Sequence, residues 1–159
     1  MPTVRAGRRL FVAGHDPERD GRLVYRGRVS EAVAVGDTAA ALRLATQNAL
    51  ASARAAGPLG QFRCVVLSGF VTTATPGGLD PALLEESLVL LEAALGAGGR
   101  PAVWLRPAQG LAGGMSVEVE LVLEARGGRA PRRVRRRDRP GGTARAADRA
   151  PRRSGGRTS

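Results

Sequence analysis

The charge of this 159-residue chain is segregated along it. Residues 1 to 125 hold twelve arginines against twelve acidic residues. Residues 126 to 159 hold thirteen arginines against only Asp138 and Asp148, so the whole formal net charge of +11 lies in the last stretch. That stretch is Arg, Pro, Gly, Ala and Ser with almost no large apolar side chain. It cannot bury enough surface to offset the entropy of ordering, and disorder is expected there. Folding is therefore expected in residues 1–125, a neutral segment of ordinary domain length. A basic chain raises nucleic acid as a partner, yet here only the tail, around Arg132, Arg133, Arg135, Arg136 and Arg137, offers such a surface, with steep salt dependence. A compositional account competes with that one and is preferred. The chain uses arginine and no lysine, as a GC-rich coding sequence would, and such extensions arise without selection.

Cys64 is the single cysteine, so no intrachain disulfide can form. It lies in the strand-like run Phe62–Phe70, where a small buried hydrophobe is the expected role. One histidine and no metal-ligand spacing argue against a metal site. No run of about 18 apolar residues spans a bilayer and no charged-then-apolar leader is present, so a cytoplasmic protein with no membrane role is expected.

Two short apolar runs, Arg8–Gly14 and Arg22–Gly27, flank the turn-rich segment His15–Gly21, which predicts a pair of antiparallel strands. Asp37 is a candidate cap for a helix whose Ala41, Leu42, Ala45, Ala49 and Ala53 recur at helical spacing until Gly57-Pro58. Phe62–Thr72 predicts a central strand ending at the turn cluster Thr75–Gly78. Asp80-Pro81 opens a second helix with the stripe Leu84, Leu88, Leu91 and Leu95, closed by Gly96–Gly99. Strands over 101–106 and 116–124 complete an α+β order, β-β-α-β-α-β-β, with the helices on one face of the sheet. Simple alternation puts Phe62, Cys64, Val66 and Phe70 on one side and Val65, Leu67 and Val71 on the other. With both sides apolar and helices on only one, burial against another subunit in a symmetric oligomer is expected.

Two residues carry the chemical expectation. Arg100 heads the run Arg100-Pro101-Ala102-Val103-Trp104-Leu105, and its guanidinium is a planar fork of donors that fits a carboxylate. Glu118 lies in Val117-Glu118-Val119-Glu120-Leu121-Val122-Leu123-Glu124, where a carboxylate can handle protons or hold a water. Together they suggest a pocket for a small organic acid. Glu120 and Glu124 share the phase of Glu118 and are expected to face solvent. Trp104 is expected at an interface or in the core, and Gln47 and Asn48 as helix surface or interface groups.

These segments together resemble the Rid family, also called YjgF-type, over residues 4–125. Phe11-Val12-Ala13-Gly14-His15-Asp16-Pro17 is similar to the family's Ser-Gly-Gln-x-Pro segment, and Ala45-Thr46-Gln47-Asn48-Ala49-Leu50 falls in the first helix. Arg63–Val71 follows the central strand. Gly99-Arg100-Pro101-Ala102-Val103 resembles the Ala-Arg-Ser-x-Val signature, and Val117-Glu118-Val119-Glu120 the closing Val-Glu-Ile-Glu strand. The resemblance implies a chorismate-mutase-like fold of the Bacillus type, a homotrimer with clefts between subunits, and hydrolysis of reactive enamines or imines to ammonia and a 2-keto acid without a cofactor. It implies that Arg100 clamps a substrate carboxylate, that Gly14, His15 and Ala102 line the cleft, and that Glu118 positions the attacking water.

The chain departs from the family pattern at several points. Ala102 stands where activity-linked members carry Cys, and Ala13 where they carry Ser. Glu85 or Glu86 replaces an Asn of the second helix, placing an anion where an acidic substrate would bind. Met1-Pro2-Thr3-Val4 resembles the end of an upstream Tyr-containing segment, which implies an earlier natural start. The alternatives are a non-catalytic trimer that binds small acids or a partner, a divergent enzyme of specialised biosynthesis, or a trimer tethered to nucleic acid by its tail.

Overall fold

A computed structural model describes residues 2–74, 79–98 and 100–127. The turn cluster 75–78, Gly99 of the second helix stop, and the arginine cluster 132–137 lie outside the described residues. Among the described residues there are seven strands and two α-helices: β1 (Thr3–Ala6), β2 (Arg9–His15), β3 (Glu18–Arg19), β4 (Arg22–Leu23), α1 (Thr38–Ala55), β5 (Phe62–Thr72), α2 (Glu85–Leu95), β6 (Ala102–Ala108) and β7 (Val117–Ala125). Five strands form one sheet in the order β1-β2-β7-β5-β6, with only β5 and β6 parallel. Counting only the strands of this sheet, each helix lies between two successive ones, β2-α1-β5 and β5-α2-β6, with β3 and β4 intervening before α1.

The opening hairpin of the sheet is not the predicted one. Arg9–His15 pairs with the four residues before it, Thr3–Ala6, and with β7 on its other side. Of Arg22–Gly27 only Arg22-Leu23 is a strand, and it folds back on Glu18-Arg19 as a separate two-stranded ribbon. The reason is local. Asp20 and Gly21 both take positive φ, 53° and 73°, which closes a tight two-residue hairpin and turns the chain back before it can join the sheet. The element order β-β-α-β-α-β-β stands, with β1 and β2 as its first pair.

The core lies between the helices and one face of the sheet. Leu10, Val12, Leu67, Val71, Val117, Val119, Leu121 and Leu123 from the strands meet Leu42, Leu50, Leu84, Leu91 and Leu95, all buried. Ala41, Ala45, Ala49 and Ala53 recur every fourth residue and are fully buried, so α1 lies with a flat, small-residue stripe against the sheet. Thr46 joins the helices: its hydroxyl donates to Leu42 O at 2.8 Å and accepts from the Ser87 hydroxyl at 3.0 Å.

Alternation in β5 is broken by a bulge between Cys64 and Val66, opposite Leu123 and Val122. Phe62 therefore shares the core side with Leu67 and Val71, against the expectation that it opposes them. Val66 and Phe70 remain on the outer face. A second correction concerns Asp37, which precedes α1 but makes no capping bond with its side chain, because the chain enters α1 through the 3₁₀ turn Val35–Asp37. Asp80 does cap: its Oδ1 accepts from Ala82 N–H at 2.9 Å, with Pro81 in the first turn.

Arg126, which the sequence reading assigns to the tail, is bound to the domain. Its backbone N–H donates to Gln61 O at 2.7 Å. Its guanidinium donates to Phe62 O (2.9 Å), Leu95 O (2.9 Å), Gly96 O (3.1 Å) and Ala97 O (3.1 Å), closing the C-terminal end of α2.

Candidate functional site

Glu118 sits on the outer face of β7, paired with Phe70 of β5, and its side chain lies across Gly14 of β2. A β-carbon at Gly14 would overlap the Glu118 carboxylate and come within 2.9 Å of its Cγ. The absent side chain is therefore the seat of the acid. A bulge between Val12 and His15 brings this glycine there. Burial, then the neighbouring Glu120 and Asp16 carboxylates, raise the Glu118 carboxyl above its ordinary range, with His15 acting the other way. A carboxyl raised towards neutrality is better matched to taking and returning a proton.

His15 does not reach into open space. Nδ1 lies 2.6 Å from Ala13 O and Nε2 2.6 Å from Ser52 Oγ on α1. A carbonyl can only accept, so Nδ1 carries the proton and, in the neutral ring, Nε2 accepts from the serine hydroxyl. Asn48, expected as a helix surface or interface group, donates to Asp16 O and Glu18 O, both at 2.9 Å, and so holds the loop that follows His15. The positioning role of its amide, and of the Ser52 hydroxyl, was not read from the sequence. The one signal for them was their place on the helix facing the loop.

Arg100 lies at the other end of the sheet. Its Nη1 is 2.9 Å from Glu85 Oε1 and its Nη2 3.0 Å from Oε2, a two-pronged pair with the first residue of α2. The Arg100 hydrogen bonds hold the Glu85 carboxyl below its usual range. Of the two acids named as replacing the family Asn, Glu85 is the one that meets Arg100, whereas Glu86 lies 4.0 Å from Arg43. Arg100 also lines a cleft of about 290 Å³ with Cys64, Leu88, Leu91, Gly98 and Pro101. Burial pushes the Cys64 thiol up to about 12, so it is a protonated packing group in that wall. Ala102 opens β6 opposite Val66, exposed on the sheet edge.

One protomer does not unite the two predicted chemical groups. Arg106 and Glu118 both stand level with Phe70, and Arg100 precedes Arg106 by six residues, which is about 20 Å along the strand. Within the chain, Gly14, His15 and Glu118 form one cluster and Arg100 and Ala102 another. Between them the outer face exposes Val4 (62%), Phe11 (42%) and Trp104 (49%), with Arg106 stacked 4.6 Å over the indole. Glu124, expected in solvent, is half-buried and bound by Arg63 across the strands, at 2.9 Å from Nε. Among the described residues no three His, Cys, Asp or Glu side chains converge to hold a metal ion, and no helix is long and apolar enough to cross a membrane.

No family model and no curated protein matches the chain. Solved structures do. A protein of unknown function from Agrobacterium tumefaciens is 29% identical with a TM-score of 0.72, covering 79% of this chain and 82% of that one. A candidate endoribonuclease from Shewanella oneidensis is 26% identical with a TM-score of 0.72, over 78% and 83%. At 22% identity and a TM-score of 0.52, over 77% and 85%, RidA from an Antarctic Psychrobacter shares the fold. The five-stranded sheet with two helices is thus the YjgF-type fold shared with these structures, and the segments that resemble the Rid family fall in order on it.

Proposed function

We propose that this chain is an imine or enamine deaminase acting on a small carboxylate-bearing intermediate, in clefts between the subunits of a cytoplasmic homotrimer. The observation that carries the reading is the Glu118 carboxylate seated on Gly14, its proton affinity raised by burial. The geometry supports a site shared between subunits, and the family resemblance supplies the trimer. Arg100 and Glu118 are too far apart to act on one small molecule within a protomer, while the outer face between them presents Val4, Phe11 and Trp104 for a neighbour to cover.

In the proposed reaction the protonated imine carbon is already electrophilic. Glu118 of one subunit orients a water and takes its proton as the oxygen bonds to that carbon, giving a carbinolamine. Return of the proton to nitrogen, then cleavage of the C–N bond as the carbinolamine hydroxyl gives its proton to Glu118, release ammonia and a 2-keto acid; the proton leaves with the ammonia as ammonium. Arg100 of the neighbour holds the carboxylate so that the carbon faces the water. Orientation beside a positioned water supplies most of the acceleration, and no cofactor enters.

Ammonia release from freshly generated 2-aminoacrylate, compared between the wild type and Arg100→Ala, tests this. A loss of tenfold or more in kcat/KM is expected, at least ~1.4 kcal/mol of transition-state binding. Equal rates remove Arg100 from the mechanism.

A second reading, a trimer that binds small acids without turnover, is favoured by Ala13, Ala102 and the Glu85 carboxylate already on Arg100. Arg100-dependent binding of a keto acid with no imine hydrolysed would select it. The Shewanella relative's description keeps RNA as a third reading, carried by the tail. Unchanged RNA retention after deletion of residues 126–159 would end it.

A further inference from the structure

We propose that Glu85 sets the specificity of the Arg100 site, as an internal carboxylate that selects ligands carrying both an acid group and a cation. This rests on Arg100 being the acid-binding group of the proposed function. A guanidinium has two edges that each offer a carboxylate a pair of parallel donors, and Glu85 fills the end-on edge with both oxygens, at 2.9 Å from Nη1 and 3.0 Å from Nη2. The placement is built in. Asp80 caps the turn Pro81–Leu84, and Glu85 follows it as the first residue of α2, where the helix dipole favours an anion. Arg100 is fixed by the start of β6 beside the cleft. A tethered anion of this kind competes as though present at roughly millimolar concentration.

The side chains are 73% and 51% exposed, so the pair is an open competition and not a lock. Exposed pairs shift equilibria by about fivefold at most. A simple monoacid must displace Glu85 or share the guanidinium with it, and in either position it lies beside a like charge. A zwitterion offers Arg100 its carboxylate and the displaced Glu85 its ammonium or iminium, exchanging one ion pair for two. The site therefore discriminates for the protonated nitrogen compound and against its deaminated product, which favours product release.

Calorimetric titration of the full chain with 2-oxobutyrate, the anion, and 2-aminobutyrate, a stable zwitterion of the same skeleton, reads this directly. Glu85→Gln is expected to tighten 2-oxobutyrate about fivefold and to weaken 2-aminobutyrate, reversing their order. Glu86→Gln, the same charge change on the next residue, is expected to leave both within twofold. An unchanged ratio of the two affinities in Glu85→Gln overturns the proposal while leaving the Arg100 clamp intact. Binding that survives Arg100→Ala, or no binding of either probe to the wild type and Glu85→Gln, overturns the clamp and the competition together.

Discussion

Arg126→Ala removes one side chain that serves three parts of the domain at once. Its guanidinium donates to Phe62 O and Leu95 O in part-buried positions and to Gly96 O and Ala97 O in exposed ones. Each part-buried bond contributes about 1 kcal/mol net, and the charge at a helix C-terminus about 0.5 kcal/mol more. The exposed carbonyls regain water and contribute little. The expected loss is therefore roughly 2.5 kcal/mol. An unfolding entropy of about 2.1 cal/mol/K per residue gives about 0.26 kcal/mol/K for a domain of this length, so the loss corresponds to a fall in Tm of about 10 °C. Thermal denaturation followed by circular dichroism, with every variant at the same protein concentration, measures it. Arg126→Lys keeps the charge but not the fork and is expected to recover less than half. A melting point for Arg126→Ala within 2 °C of the wild type would show that the α2 terminus is held by something else.

Gly14→Ala pushes the Glu118 carboxylate off its seat; deaminase kcat is expected to fall about a hundredfold with Tm nearly unchanged, in line with the usual cost of misplacing a reacting group. Undiminished turnover would show that the seat is irrelevant. Burial raises Glu118 above its ordinary 4.5, so the fold favours the protonated acid, and this contribution, full in acid, is lost as pH rises through the raised value. Glu118→Gln is accordingly expected to melt above the wild type at pH 7, with the gap closing below about pH 4.5; a gap that widens in acid contradicts the assignment. Asn48→Ala frees the Asp16 and Glu18 carbonyls, and amide hydrogen exchange in residues 16–23 should accelerate about tenfold while the sheet stays protected. Phe11→Asp on the outer sheet face should convert the proposed trimer to monomers in light scattering, and an unchanged mass would place the interface elsewhere.

The helices were legible because each writes its packing face at a single period: Ala41 to Ala53 and Leu84 to Leu95 mark their buried stripes without reference to the rest of the chain. Strands β5, β6 and β7 were legible from β-branched runs bounded by glycine and proline. The phase of β5 was not, since a bulge depends on pairing with β7 and leaves no mark on β5 alone. Thr3–Ala6 escaped notice because four mostly exposed residues show no apolar alternation. Gly14 and Glu118 could be paired only through the family resemblance, being over a hundred residues apart. The Glu85–Arg100 bond had a partial signal, an acid in place of an amide, which gave the charge conflict but not its resolution as an ion pair.

The extra residue in β2 has a consequence for how this scaffold can change. Deleting one codon between Val12 and His15 would restore an unbroken ladder to β7 and leave His15 opposite Val119 as it is now. It would also take away the bare stretch of backbone on which Glu118 rests. A more regular version of the domain, without that seat for the acid, thus lies a single small deletion away.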